Sequence, residues 1–345
     1  CFSSAPPQQY KSVIKSNHQS CEVAFPESTH QKAALDAIAR SSKATHGCQI
    51  LGQAQFIDSW ASVSKPVCLK PKDLRDASEV HVCSQNGEDG ALLLILGAIG
   101  IESLLSLEIC GGIGSESNTA NLVVNHGFNG VFFDGAAHNS QQCQSFFDSV
   151  GGPTPGIFNF LSSKSSGNAL CVTEWISRST VEASVVRAFE NLLPGMSAPA
   201  ARLEIDVFSL DIDGIDIYLL GPILSTISPR VIVVEYQDII GPSRALTVPY
   251  SETFQAKWIK GNPDFAGASI AAFVFVLNQW GYRFVGCEAL GFNGFFIRSD
   301  VFEHAKTRGA FFEETTPEAS KCFDAQKVQE GMVTRWGNVV NEEWT

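Results

Sequence analysis

Between Ser84 and Arg298, short runs rich in β-branched and aromatic residues alternate with stretches of helical periodicity. SLEIC (106–110) reads as a buried strand, NTANLVVNH (118–126) as a helix stopped at Gly127, and GVFFD (130–134) as a second strand. VFSLDID (207–213), the helix-like IYLLGPILSTI (217–227) and RVIVVEY (230–236) repeat the pattern. A further helix is expected from about Gly267 to Trp280: Ile270, Phe273, Val274 and Leu277 fall at i, i+3, i+4 and i+7, and Gly281 is placed to end it. YRFVGCE and GFNGFFIR then read as a closing, hairpin-like pair of strands. Strands parted by helices pair mostly in parallel, because each crossover returns the chain to the same end of the sheet, and the helices cover both faces. The expected fold is therefore α/β and doubly wound, with the closing pair adding an antiparallel edge.

This α/β region is expected over 81–300. Residues 1–80 read as an extension of loops and short helices, with ESTHQKAALDAIAR (27–40) its best helix. Residues 301–345 read as an acidic, irregular tail, packed over the domain or reaching a partner.

The loop after the first strand gives the first chemical lead. In LEICGGIGSESNTANLV, Gly111, Gly112 and Gly114 lie between a strand and a helix. Glycines there let the backbone turn sharply and come close to a ligand, and the helix start offers free N–H groups. GGIG does not fit GxGxxG, and no Lys-Ser/Thr follows, so this is not a P-loop. Asp134 ends the next strand, twenty residues past Gly114, where an acid can accept hydrogen bonds from ribose hydroxyls. In SLDIDGID, Asp211, Asp213 and Asp216 follow an apolar strand, and Glu235 ends the next. Carboxylates meeting at strand ends can take a proton from a hydroxyl or bind a divalent cation, and they raise one another's pKa. No nucleophile motif such as GxSxG is present. Cys110, between strand and glycines, reads as a small, buried, apolar residue.

A net charge of −12 excludes nucleic acid as a partner and disfavours an anionic membrane. The longest apolar run, ALLLILGAIGI (91–101), is too short to span a bilayer, so no transmembrane segment is expected. Ten cysteines without a CxxC pair, and seven histidines without a cluster, argue against zinc, and no resident metal is expected. Cys1, Cys21, Cys48 and Cys68 suggest a disulfide-stapled extension, while no Asn-x-Ser/Thr sequon occurs. An organelle lumen or other oxidising compartment, reached by a cleaved targeting peptide, fits both observations.

Taken in order, SQNGEDG (84–90), LEICGGIGSESNTANLV (107–123), GFNGVFFDG (127–135), SLDIDGID (209–216), RVIVVEYQ (230–237) and GASIAAFVFVLNQWGYRFVGCEALGFNGFFIR (267–298) resemble the FkbM-type branch of the S-adenosylmethionine-dependent methyltransferases. The resemblance implies a methyltransferase-like sheet of about seven strands, one of them antiparallel. It implies that Glu108, Gly111, Gly112 and Gly114 cradle the methionine part of S-adenosylmethionine and that Asp134 holds its ribose. Asp211 and Asp213 are then the catalytic candidates, facing the methyl group and a small-molecule or sugar hydroxyl. The family usually carries glycine at the position of Cys110, so this chain departs at its cofactor loop. A second expectation follows from that departure: a methyltransferase-fold protein without turnover, serving as an assembly subunit of a larger complex.

Overall fold

The structure is a computed structural model, and it describes residues 67–78, 80–150, 167–194, 201–324 and 326–345. The helix expected over 27–40 and the cysteines Cys1, Cys21 and Cys48 lie outside the described residues.

The chain begins with β1 (Val67–Leu69), α1 (Pro71–Ala77) and α2 (Glu88–Ile99). The long apolar run lies largely in α2, which is buried on nearly every side, as a helix apolar all round must be. Asp89 fixes its entry: one carboxylate oxygen accepts the N–H groups of Val82, Cys83 and Ser84 at 2.9, 2.7 and 2.8 Å. Next come β2 (Leu105–Ile109), α3 (Ala120–His126), β3 (Asn129–Asp134), α4 (Ala137–Val150) and β4 (Ala169–Thr173). They are followed by α5 (Val181–Leu192), β5 (Leu203–Leu210), α6 (Asp216–Thr226) and β6 (Ile227–Glu235). A small hairpin, β7 (Lys257–Ile259) and β8 (Asn262–Phe265), precedes α7 (Ile270–Gln279), β9 (Tyr282–Cys287) and β10 (Asn293–Arg298). The chain closes with α8 (Ser299–Thr307), β11 (Ala310–Phe312), α9 (Gln326–Thr334) and α10 (Trp336–Val339).

Seven strands form one sheet in the order β4-β3-β2-β5-β6-β10-β9. β2 to β6 pair in parallel, and β10 runs antiparallel to both neighbours. This is the doubly wound α/β sheet that the alternation predicts, with one difference. The antiparallel strand is not at the edge: the short β9–β10 turn returns β10 between β9 and β6, burying Phe295, Phe296 and Ile297. β1 pairs in parallel with β11, apart from the main sheet.

Side chains alternate between two apolar layers. Phe132, Val207, Val231, Val233, Phe295 and Ile297 pack with α1 to α4 and α8. Ile109, Phe133, Leu210, Ile232, Val234 and Phe296 pack with α5, α6 and α7. The same alternation puts Glu108, Asp134, Asp211, Glu235 and Asn293 on the first of these faces, at the rim where the parallel strands end. Winding goes outward from β2 to β4, then resumes at β5 on the other side of β2. The rim between β2 and β5 is thus the topological switch point, where open α/β sheets place ligands.

The C-terminal segment corrects an expectation. Instead of an irregular tail, it contains most of α8, then β11, α9 and α10. Arg335 reaches Asp264 of β8 at 2.6 Å, Phe265 and Trp344 meet edge to face at 4.7 Å, and Thr247 and Thr345 exchange backbone hydrogen bonds of 3.0 and 2.8 Å. Disulfides join Cys143 of α4 to Cys171 of β4 and Cys287 of β9 to Cys322; Cys68 and Cys83 are also disulfide-bonded.

Candidate functional site

A cavity of about 410 Å³ opens at the switch point. Cys110 at the end of β2, Asp134 and Gly135 after β3, Glu174 to Ile176 after β4, and Ile212 to Ile215 after β5 form its floor. Ser251, Glu252, Phe254, Gln255, Ala256 and Trp258, leading into the small hairpin, form its outer wall.

The glycine turn is held from behind. Glu108, 4% exposed, accepts the N–H of Asn118 at 2.7 Å, and the N–H and hydroxyl of Thr119 at 2.8 and 2.6 Å. Burial raises its pKa to about 7 although these donors favour the charged form. The carbonyl of Phe133 accepts the N–H groups of both Cys110 and Gly111 at 2.9 Å. A Cβ at Gly111 would lie 3.0 Å from the Phe132 ring, and one at Gly114 would lie 3.0 Å from Phe147, so neither position has room for a side chain. Glu108 and the three glycines build the turn but are not among the residues lining the cavity.

Cys110 departs from its expected burial. Its backbone is left-handed, with φ 73°, and its side chain is exposed toward the cavity it lines. The positive φ turns this residue out of the strand's alternation, and it is a conformation in which glycine is favoured. It is the free cysteine among the described residues. Its low-dielectric surroundings and the nearby carboxylates of Asp211, Asp134, Asp213 and Asp216 hold the thiol well above its ordinary pKa, so it is an inert thiol at neutral pH.

Asp134, 8% exposed, accepts the Ala136 N–H at 2.7 Å and the Asn139 amide at 3.2 Å. It therefore caps the turn after β3, yet its carboxylate still borders the cavity. The indole of Trp175, 65% exposed, covers Gly135: a Cβ there would lie 2.7 Å from the ring. Glu174 is tied to Ser184 and pairs with Arg187 at 2.7 Å.

The acids after β5 divide their work. Asp216 accepts the N–H groups of Ile212 and Gly214 at 2.8 and 2.9 Å, which shapes the turn into α6. Burial raises its pKa to about 6. Asp211 and Glu235 face each other across β5 and β6 within hydrogen-bond reach; burial raises both pKa values, helped at Asp211 by Asp213 and Asp216 and at Glu235 by Asp211. Asp213 sits in left-handed backbone, φ 52°, and lines the cavity. Burial raises its pKa as well.

Of the sequence candidates, Asp134 and Asp213 border the cavity, Asp211 stands beside it, and Glu108 with the glycines lies behind it. Sequence reasoning missed Glu174, Trp175, Phe254 and Trp258. Trp175 lies three residues past the short apolar run ALCV at 169–172, near a strand end of the same kind as those that supplied Asp134 and Asp211.

No protein-family model matches the chain, and no curated protein matches it. Among solved structures it is similar to a S-adenosylmethionine-dependent methyltransferase from Thiobacillus denitrificans in complex with S-adenosyl-L-homocysteine, at 11% identity over 79% of this chain and 93% of that one, TM-score 0.32. A putative O-methyltransferase from Klebsiella pneumoniae matches at 11% identity over 66% and 87%, TM-score 0.32. A putative sarcosine dimethylglycine methyltransferase from Galdieria sulphuraria matches at 10% identity over 58% and 64%, TM-score 0.31, so this chain spans less than two thirds of that relative. Identities and scores this low carry no chemistry from one chain to another.

Proposed function

We propose that the cavity binds S-adenosylmethionine and that the protein transfers its methyl group to a hydroxyl of a small molecule. One observation carries this reading: the cavity lies at the switch point, is bordered by Asp134, Glu174, Asp213 and Glu252, and has no Lys, Arg or His in its lining among the described residues. Such walls repel phosphate, which disfavours nicotinamide, flavin and nucleotide phosphates, and they attract a nucleoside that carries positive charge. Asp134 has lone pairs left for ribose hydroxyls, and Trp175 presents a flat apolar face suited to a base. The residues present therefore fit the group.

Bound there, S-adenosylmethionine supplies an electrophilic methyl carbon. The chain's own part is to position and to manage one proton. Asp213 is the base we assign, since its carboxylate borders the cavity and burial raises its pKa, which strengthens it as a base. Asp211 and Glu235 stand behind it, within hydrogen-bond reach of each other. Phe254 and Trp258 exclude water from the outer side. Acidic walls select neutral or cationic acceptors over anionic ones. Disulfides Cys143–Cys171 and Cys287–Cys322 support an oxidising compartment as the place of action.

A second reading, an assembly subunit without turnover, is favoured by Cys110, whose side chain borders the cavity where the resembling family has glycine. Thermal melting separates the two, because a ligand that binds only the native state raises the melting temperature. A shift with S-adenosylhomocysteine that is lost in Trp175→Ala supports the enzyme. No shift at millimolar ligand, with a shift gained in Cys110→Gly, supports the second reading.

A further inference from the structure

Three neighbouring strands present one row of side chains at the rim. Leu210 pairs with Val234 in parallel register, so Asp211 comes next to Glu235, and Glu235 pairs with Asn293 across the antiparallel strand β10. All three leave the face that carries Val207, Val233 and Phe295. Asp213 reaches the same point from the turn: one oxygen each of Asp211, Asp213 and Glu235 lie within 4.8 Å of one another. No basic side chain offsets them, for the ion pairs of the described residues all fall elsewhere.

Asn293 is an independent observation. It is 4% exposed, its amide nitrogen donates to Glu88 at 2.7 Å, and its Oδ1 is buried without a partner. A buried acceptor with no donor is destabilising unless something electropositive meets it.

We propose that Asp211, Asp213, Glu235 and Asn293 hold a hard divalent cation of the Mg2+, Mn2+ or Ca2+ class at the edge of the cavity. Oxygen-only donors, three of them carboxylates, select such ions over zinc or copper. Asp213 then links the ion to the cavity, where a cation lowers the pKa of a nearby hydroxyl and favours its deprotonation. The site does not depend on the nucleoside reading; of its residues, Asp213 is the one that borders the cavity.

The test uses the whole chain, freed of metal with a chelator and titrated calorimetrically with Mn2+, Mg2+ or Ca2+ alone. Saturable one-site binding and a higher melting temperature are expected for at least one ion. Asp213→Asn, which removes one negative charge at the cavity wall, is expected to weaken binding at least tenfold. Glu235→Gln and Asn293→Leu are expected to do the same where they fold. No saturable binding at millimolar ion overturns the proposal, and so does binding that Asp213→Asn leaves unchanged. Cation binding is read without nucleoside, and nucleoside binding with chelator and Trp175→Ala, so each reading fails separately.

Discussion

Glu108 and Thr119 are joined twice, eleven residues apart: the carboxylate accepts the Thr119 N–H at 2.8 Å and its hydroxyl at 2.6 Å. With the Asn118 N–H at 2.7 Å, this clamps both ends of the glycine turn. Glu108→Ala leaves three donors without a buried acceptor and is expected to cost about 2–4 kcal/mol, read by urea unfolding. Glu108→Gln, which keeps one acceptor oxygen, is expected to cost about half as much. Equal costs for the two variants would show that packing, not hydrogen bonding, holds the turn.

Cys110→Gly removes a side chain from left-handed backbone. The relief of about 1–2 kcal/mol is partly offset by the greater freedom of glycine in the unfolded chain, so a net gain of about 0.5–1 kcal/mol is expected. In the native protein at pH 8, iodoacetamide is expected to modify Cys110 far more slowly than a free thiol, because desolvation first, and the neighbouring acids second, suppress the thiolate. Labelling at the rate of an unhindered thiol would contradict the electrostatics described here.

Arg335 is the main counter-charge of buried Asp264, at 2.6 Å, and it also faces Asp238 at 3.4 Å. Arg335→Ala is expected to cost about 3 kcal/mol, since it leaves two buried carboxylates without their cation. The hairpin β7–β8, which follows the cavity wall, should then become the preferred site of limited proteolysis. Unchanged protection there would show that Trp344 and Thr345 suffice to hold it.

Buried acids set the pH response. Burial raises Glu108 and Glu288 from 4.5 to about 7, and Asp89 and Asp216 from 3.8 to about 6. Between the unfolded and folded pKa values the native state binds more protons, so stability falls as pH rises from about 4 to 7. Buried His126, lowered to about 3, opposes this as a single group. Measured with chelator, the melting temperature is expected to be higher at pH 5.5 than at pH 8 by on the order of 5 °C. A maximum at pH 8 would mean that structural relaxation compensates these acids.

The parallel strands of the centre were legible because their apolar runs are continuous and end at acids. Ile109, Phe133, Leu210 and Val234 announce themselves by period, and Asp134 and Asp211 by being the first polar groups after it. The edge strand Ala169–Thr173 is only half-buried, so its sequence is not driven to a clear pattern, and Trp175 went unnoticed with it. The pairing of Asp211 with Glu235, and of Glu235 with Asn293, depends on register between distant segments, which no local pattern encodes. Cys110 was misread because its burial was inferred from strand alternation, while a positive φ takes it out of that alternation.

Thr247 closes its backbone bonds with Thr345, about a hundred residues further along the chain. During synthesis the outer wall of the cavity therefore waits for residues made about a hundred positions later. The sheet can assemble on the ribosome well before that, but this wall gains its tie only once the segment around Thr345 has emerged, so a ligand that needs Trp258 meets its full pocket late in synthesis.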